Sequence, residues 1–279
     1  MTTREELLAG LLRENPFQPA TSWWRAVELE AVIKHGLPSG KGLDLGCGDG
    51  KLMRLLLDGL ATSPPALVGA DIDPLETRDA AASGVYQRVH TTPGSRIPEP
   101  DASFDFVYSN SVLEHIDDLE PVIAEVSRLL KPGGRFVFTV PAERFHECLA
   151  GPLLPWRERE QYLRRLDRRC AHRRYWSEEQ WAACLQRHAM EIVTALRYLT
   201  RREVQRWETL SRFTAGILYT LVGERLQPIE IQRRLGVRRR RLRLPQRAAR
   251  LAGRVISVGV RPDAAGVFGC LLVDGRKRT

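Results

Sequence analysis

The chain has 279 residues, with 43 lysines and arginines against 34 aspartates and glutamates, and a net charge of +9. That length can bury a full core and suits one domain with insertions. The sequence holds no apolar run of about 18 residues and no basic-then-apolar leader. Its five scattered cysteines (Cys47, Cys148, Cys170, Cys184, Cys270) include no C-x-x-C pair, so a membrane span, a zinc cluster and a disulfide framework are not expected, and a reducing cytoplasm is.

Residues 4–14 show helical apolar spacing, and Pro16 and Pro19 are read as breaking that helix. A second helix is expected over 22–35, with Ser22 as N-cap and Arg25 in its first turn. Residues 1–36 thus form an N-terminal helical segment. Arg25 and Glu28 lie three apart on one face of the second helix, either as an ion pair or with Arg25 free for a ligand carboxylate. Trp23 and Trp24 either close over a ligand or join the core.

Residues 42–50 carry the most informative stretch. A short apolar strand runs into Asp44-x-Gly46-x-Gly48-x-Gly50, with Cys47 inside the turn, and a helix-like segment follows at once. Glycine permits the tight turn and lets a ligand lie against bare backbone. The amides opening the next helix favour a negatively charged group. The spacing differs from the G-x-G-x-x-G of dinucleotide enzymes.

A second buried-type strand ends at Asp71-Ile72-Asp73-Pro74, about 20 residues on, where an acid in a doubly wound sheet accepts from ribose hydroxyls. Capping of the next helix is the competing role, above all for Asp73. Residues 103–110 form a third block, followed by Ser111-Val112-Leu113-Glu114-His115-Ile116. In the fourth, a helix stops at Lys131-Pro132-Gly133-Gly134 and a β-rich strand leaves.

After Pro141 the pattern changes. Residues 145–176 combine prolines, arginines and aromatics and read as an insertion covering the site. Residues 177–199 supply a helix opened by a capping box and strand six. Residues 200–263 form a second, basic and mostly helical insertion, and 264–279 hold the last strand.

Taken together, the four blocks over about residues 23–142 resemble class I S-adenosylmethionine (SAM)-dependent methyltransferases of the methyltransferase-11 type. The resemblance implies one class I domain over 1–279 with its SAM-binding core at 37–144. Its fold is α/β, a doubly wound, Rossmann-like sheet of seven strands with the last antiparallel, and two helical insertions form a lid. It implies SAM as cofactor and S-adenosylhomocysteine as product. It places the cofactor on Arg25, Asp44, Gly46, Cys47, Gly48, Gly50, Asp71, Ile72, Asn110, Ser111 and His115. The family's acid near adenine is missing from residues 91–98, so Ser95 or Arg96 is expected there. Cys47 is expected to pack rather than react.

His115 is read as beginning the helix after strand four, at the carboxyl edge, and its ordinary pKa suits a general base. Packing against the cofactor is its alternative role. His172, before the capped helix, is the second base candidate, with a structural role as its alternative. His146, Trp156, Tyr175 and Trp176 are read as substrate-pocket walls, with Tyr162 and Trp181 as further aromatic candidates. Glu114 is expected to point elsewhere and tie down the N-terminal segment. His35, His90 and His188 are read as surface residues. No His, Cys, Asp or Glu spacing suggests a metal.

The charge is uneven. Residues 1–150 carry 22 acids and 14 bases, and residues 151–262 carry 26 bases and 10 acids, including the run 238–241. That bias suits an anionic small molecule, a nucleic acid or a peripheral membrane surface. The leading expectation is methyl transfer to a small-molecule O, N or C acceptor in specialised-metabolite, including antibiotic, biosynthesis, by a monomer or homodimer. A nucleic-acid methyltransferase is disfavoured, because Ser109-Asn110-Ser111-Val112 stands where an Asn-Pro-Pro-Tyr type motif would. A non-catalytic binding protein on the same fold is the remaining alternative.

Overall fold

A computed structural model of the chain describes residues 3–60, 66–154, 156, 158–221, 243–260 and 266–279. The arginine run 238–241 lies outside the described residues.

Seven strands form one sheet in the order β3-β2-β1-β4-β5-β7-β6. They are β1 Lys41–Leu45, β2 Ala66–Asp71, β3 Arg88–Thr91, β4 Phe104–Asn110, β5 Leu130–Pro141, β6 Met190–Thr200 and β7 Phe268–Lys277. The first five pair in parallel, and β7 runs antiparallel between β5 and β6. β1, β2 and β4 are buried along nearly their whole length, as central strands of a parallel sheet covered on both faces are. The chain order reverses between β1 and β4, and such a reversal leaves a crevice beyond the carboxyl ends of the two strands.

One face is covered by α1 (Arg4–Glu14), α2 (Pro19–His35) and α3 (Lys51–Gly59), together with α6 (Phe145–Cys148), α7 (Arg159–Cys170) and α9 (Arg201–Ser211). The other is covered by α5 (Glu120–Leu129) and α8 (Glu178–Arg187). α4 (Pro74–Ala81) connects β2 to β3. On α5 the residues Val122, Ile123, Val126 and Leu129 recur at helical spacing and are all buried. Side chains of this kind contribute about 1.5–3 kcal/mol each when withdrawn from water. A helix at Gln246–Ser257 packs against α1.

Four local expectations need correction. Pro19 starts α2 rather than ending the helix before it, because its fixed φ and missing N–H suit a first helical position. Ser22 is therefore buried within the helix and does not cap it. His115 closes a 3-10 turn, Leu113–His115, and the α-helix opens only at Glu120. His35, His90 and His188 are not surface residues but pair with Asp274, Glu99 and Glu120 at 2.7, 2.9 and 2.6 Å.

Candidate active site

The crevice opens into a cavity of about 720 Å³. Its floor is the turn after β1. Gly46, Gly48 and Gly50 all have left-handed backbone, at φ 82°, 53° and 77°. A Cβ on Gly46 would lie 2.3 Å from Val112, whereas one on Gly48 would meet nothing closer than Glu76, at 4.0 Å. Gly46 is thus fixed by packing, and Gly48 presents bare backbone to open space.

Asp71 ties this turn to the end of β2. One carboxylate oxygen accepts from the Gly48 amide at 2.9 Å and the other from the Asp73 amide at 2.9 Å. Asp73 is the cap of α4, accepting from Leu75 and Glu76. Asp44, buried at the end of β1, accepts from the Tyr86 hydroxyl at 2.5 Å. Burial pushes its carboxyl up to about 7; the Tyr86 hydrogen bond opposes that and the nearby Asp71 charge adds to it. Cys47 is buried on the cavity wall, and burial raises its thiol far above the ordinary value.

The second wall is organised by Glu28, which the sequence marked only by its distance from Arg25. It is fully buried and accepts from Arg25 at 2.5 Å, Asn110 at 2.8 Å, Ser111 at 2.5 Å, Thr139 at 2.9 Å and Tyr198 at 3.0 Å. Burial alone would raise its carboxyl, but the Arg25 charge and these hydrogen bonds outweigh it and hold it below the usual carboxylate range. Ser111 sits at φ 49°, a left-handed conformation that costs a non-glycine residue about 1–3 kcal/mol. Its bonds to Glu28 and Thr139 hold it there. Arg25, Asn110 and Ser111 all line the cavity.

His115 lines the same cavity as the glycine turn. Its Nδ1 lies 3.1 Å from the Ala171 carbonyl. A carbonyl can only accept, so Nδ1 carries the proton and Nε2 keeps its lone pair. Burial in the concave wall lowers its pKa, the Ala171 carbonyl opposes this, and Arg25 and Arg173 lower it further. Glu114, beside it, is buried, and its carboxyl is raised to about 8, chiefly by burial. Among the described residues its carboxylate makes no hydrogen bond to the N-terminal segment, although the Arg25 charge acts on it; its backbone carbonyl accepts from the Arg173 amide at 2.8 Å.

Several expected site residues lie elsewhere. His172 is not in the cavity lining; its Nδ1 lies 3.0 Å from the Tyr175 hydroxyl, and burial followed by the His115 charge pushes its pKa down to about 3. Tyr175 stacks on Phe145 and donates to Asp167, which also holds His146 at 2.9 Å. Trp176 packs edge-on to Trp181, itself in the core. Trp156 is 76% exposed and Ile72 72% exposed, and neither lines the cavity. Ser95 and Arg96 are exposed, away from it. Trp23 and Trp24 are buried in the core, the former donating to the Glu203 carbonyl at 2.9 Å. Tyr162 donates to Glu208.

The far wall instead comes from residues that the sequence marked only by the basic bias of its second half or not at all. They include Arg169 and Arg173, together with Trp207 and Ser211 of α9. Arg169 donates to Ser211 Oγ at 2.9 Å, and Arg173 pairs with Asp117 at 2.9 Å.

A seven-stranded sheet in this order with its last strand antiparallel, a glycine turn at its reversal point and an acid at the end of β2 define the fold and cofactor crevice of the class I methyltransferases. The family model for the methyltransferase domain matches residues 21–195, and the chain belongs to this SAM-dependent family. The dimethylglycine N-methyltransferase of Parasynechococcus marenigrum is 36% identical over 141 residues, 49% of this chain and 50% of that protein. The 24-methylenesterol C-methyltransferase 2 of Oryza sativa subsp. japonica is 37% identical over 116 residues, 39% of this chain and 31% of that protein. The chain therefore spans half or less of the length of these two relatives. A SAM-dependent methyltransferase of Thermotoga maritima superposes with a TM-score of 0.56 at 18% identity, covering 94% of each chain, which shows a shared fold.

Proposed function

We propose that the chain transfers a methyl group from SAM to a small-molecule acceptor, with His115 as general base where the acceptor must lose a proton. The observation that carries this reading is the single cavity running from the Gly48 turn and Asp71 to His115 Nε2. The glycine turn and Asp71 would hold SAM, with Asp71 accepting from its ribose hydroxyls. Asp71 already accepts two amides, and a carboxylate has lone pairs to spare. Arg25 gives one N–H to Glu28, and the rest of its fork is available to the carboxylate of the methionine part.

Transfer is an in-line displacement, and most of the catalysis is positioning and exclusion of water. His115 has the right form for a base, neutral near pH 7 with Nε2 unprotonated. Arg169 on the far wall, bonded to a neutral hydroxyl, favours an anionic acceptor. The proposed setting, specialised-metabolite biosynthesis in the cytoplasm, rests on family analogy.

The test is thermal unfolding and calorimetric titration with S-adenosylhomocysteine. Ligand at 100 times its dissociation constant should stabilise the fold by about 2.7 kcal/mol. A well-folded chain that shows no shift would overturn the reading.

A further inference from the structure

We propose that Glu114, His115 and His172 form a binding site for a divalent transition-metal ion at the acceptor end of the cavity. The inference rests on the geometry of these three side chains and not on methyl transfer; an ion on His115 Nε2 takes the lone pair that a base would use, so His115 acts as a base only in the metal-free chain.

One ligand atom from each of the three lies within 4.8 Å of the other two. Glu114 Oε1 is 3.9 Å from His115 Nε2. Both histidines are held with Nε2 free. His115 gives its Nδ1 proton to the Ala171 carbonyl. Tyr175 gives its own proton to Asp167, so its oxygen accepts from His172 Nδ1. A histidine oriented through its other ring nitrogen by a carbonyl or a carboxylate-backed group is the usual support of a metal ligand. Here both histidines have it, in different forms and from different parts of the chain.

Glu114 supplies an independent sign. It is 1% exposed, and its Oε2 has no hydrogen-bond partner among the described residues. A buried polar atom left unpaired is costly, and a cation between this carboxylate and the two imidazoles removes that cost. Arg25 and Arg174 act on Glu114 through charge but place their hydrogen bonds among the described residues elsewhere, Arg25 on Glu28 and Arg174 on the carbonyls of Leu113, Ile116 and Asp117. Two imidazole nitrogens and one carboxylate suit Zn²⁺ or Fe²⁺ and disfavour Mg²⁺ and Ca²⁺. Since His115 faces the cavity, the open coordination position would face the acceptor.

The experiment is titration of the chelator-stripped full chain with Co²⁺, read by visible absorption, and with Zn²⁺, read by calorimetry. One ion per chain is expected, with the strengthened Co²⁺ absorption of a low-coordinate protein site. Glu114→Gln and His172→Ala should each weaken binding at least about tenfold, and Tyr175→Phe, which leaves all three ligands in place, about tenfold. S-adenosylhomocysteine binding by each variant reports folding and reads the methyltransferase assignment separately. Absence of a bound ion, or unchanged affinity in Glu114→Gln and Tyr175→Phe, would overturn the site.

Discussion

Arg25 Nη1 lies 2.5 Å from Glu28 Oε2, one helical turn further along α2, with the acid fully buried and the base on the cavity wall. The pair joins stability to function. Its buried end gathers the ends of β4, β5 and β6 through Asn110, Thr139 and Tyr198, and its open end faces the crevice. Removing one partner of such a pair strands a charge and several donors. Glu28→Gln should therefore cost about 3–5 kcal/mol in urea unfolding. A cost under about 1 kcal/mol would mean that Glu28 does not organise this edge.

The same pair sets an acid dependence. The folded carboxyl of Glu28 titrates below its ordinary 4.5, so its contribution is present above that pH and is lost as the pH falls through the lower folded value. The unfolding free energy of Glu28→Gln should accordingly vary less with pH below 4.5 than that of the wild type.

Glu114 has the opposite sign. Its folded pKa of about 8 lies above the unfolded 4.5, so its contribution is complete below 4.5 and declines as the pH rises toward 8. The groups facing it are Arg25, Glu28 and Arg174, together with His115 and His172. In metal-free protein, Glu114→Gln should gain stability on the wild type across that window. Parallel stability curves for the two proteins from pH 5 to pH 8 would refute the assignment.

Gly48→Val separates folding from cofactor binding. The φ of 53° would cost a non-glycine residue about 1–2 kcal/mol, but an added Cβ meets no protein atom closer than Glu76, at 4.0 Å. The variant should fold with a modestly lowered Tm and fail to bind S-adenosylhomocysteine in calorimetry. Asp71→Ala should lose affinity too, by about 1.5–3 kcal/mol for each ribose hydrogen bond removed. Normal affinity in either variant would place the cofactor elsewhere.

Those residues were legible because their signal is local. The glycine turn and the acid ending β2 are written in consecutive residues whose backbone needs allow few substitutes. Glu28 is different, since its partners Asn110, Ser111, Thr139 and Tyr198 lie 82, 83, 111 and 170 residues away. The far wall was hidden for another reason. α7 carries arginines around much of its surface, and nothing in their spacing tells Arg169, on the cavity, from Arg164, paired with Glu160 in solvent. The aromatics drew attention to the wrong residues: Tyr175 and His146 serve Asp167, and Trp156 faces outward. Composition showed that the insertion was aromatic but not which rings faced the crevice.

His115 is where a change in turnover should part from a change in affinity. As a base it acts only when Nε2 is unprotonated, and its pKa lies below the ordinary 6.5. With an acceptor that must lose a proton, kcat/KM should be level above about pH 6.5 and fall at lower pH as the imidazole gains a proton. His115→Ala should lower kcat by about 10²–10⁴ and remove that acidic limb, while binding of S-adenosylhomocysteine changes far less. If affinity and kcat fall together and the limb persists, His115 packs against the cofactor and the proton leaves by another route.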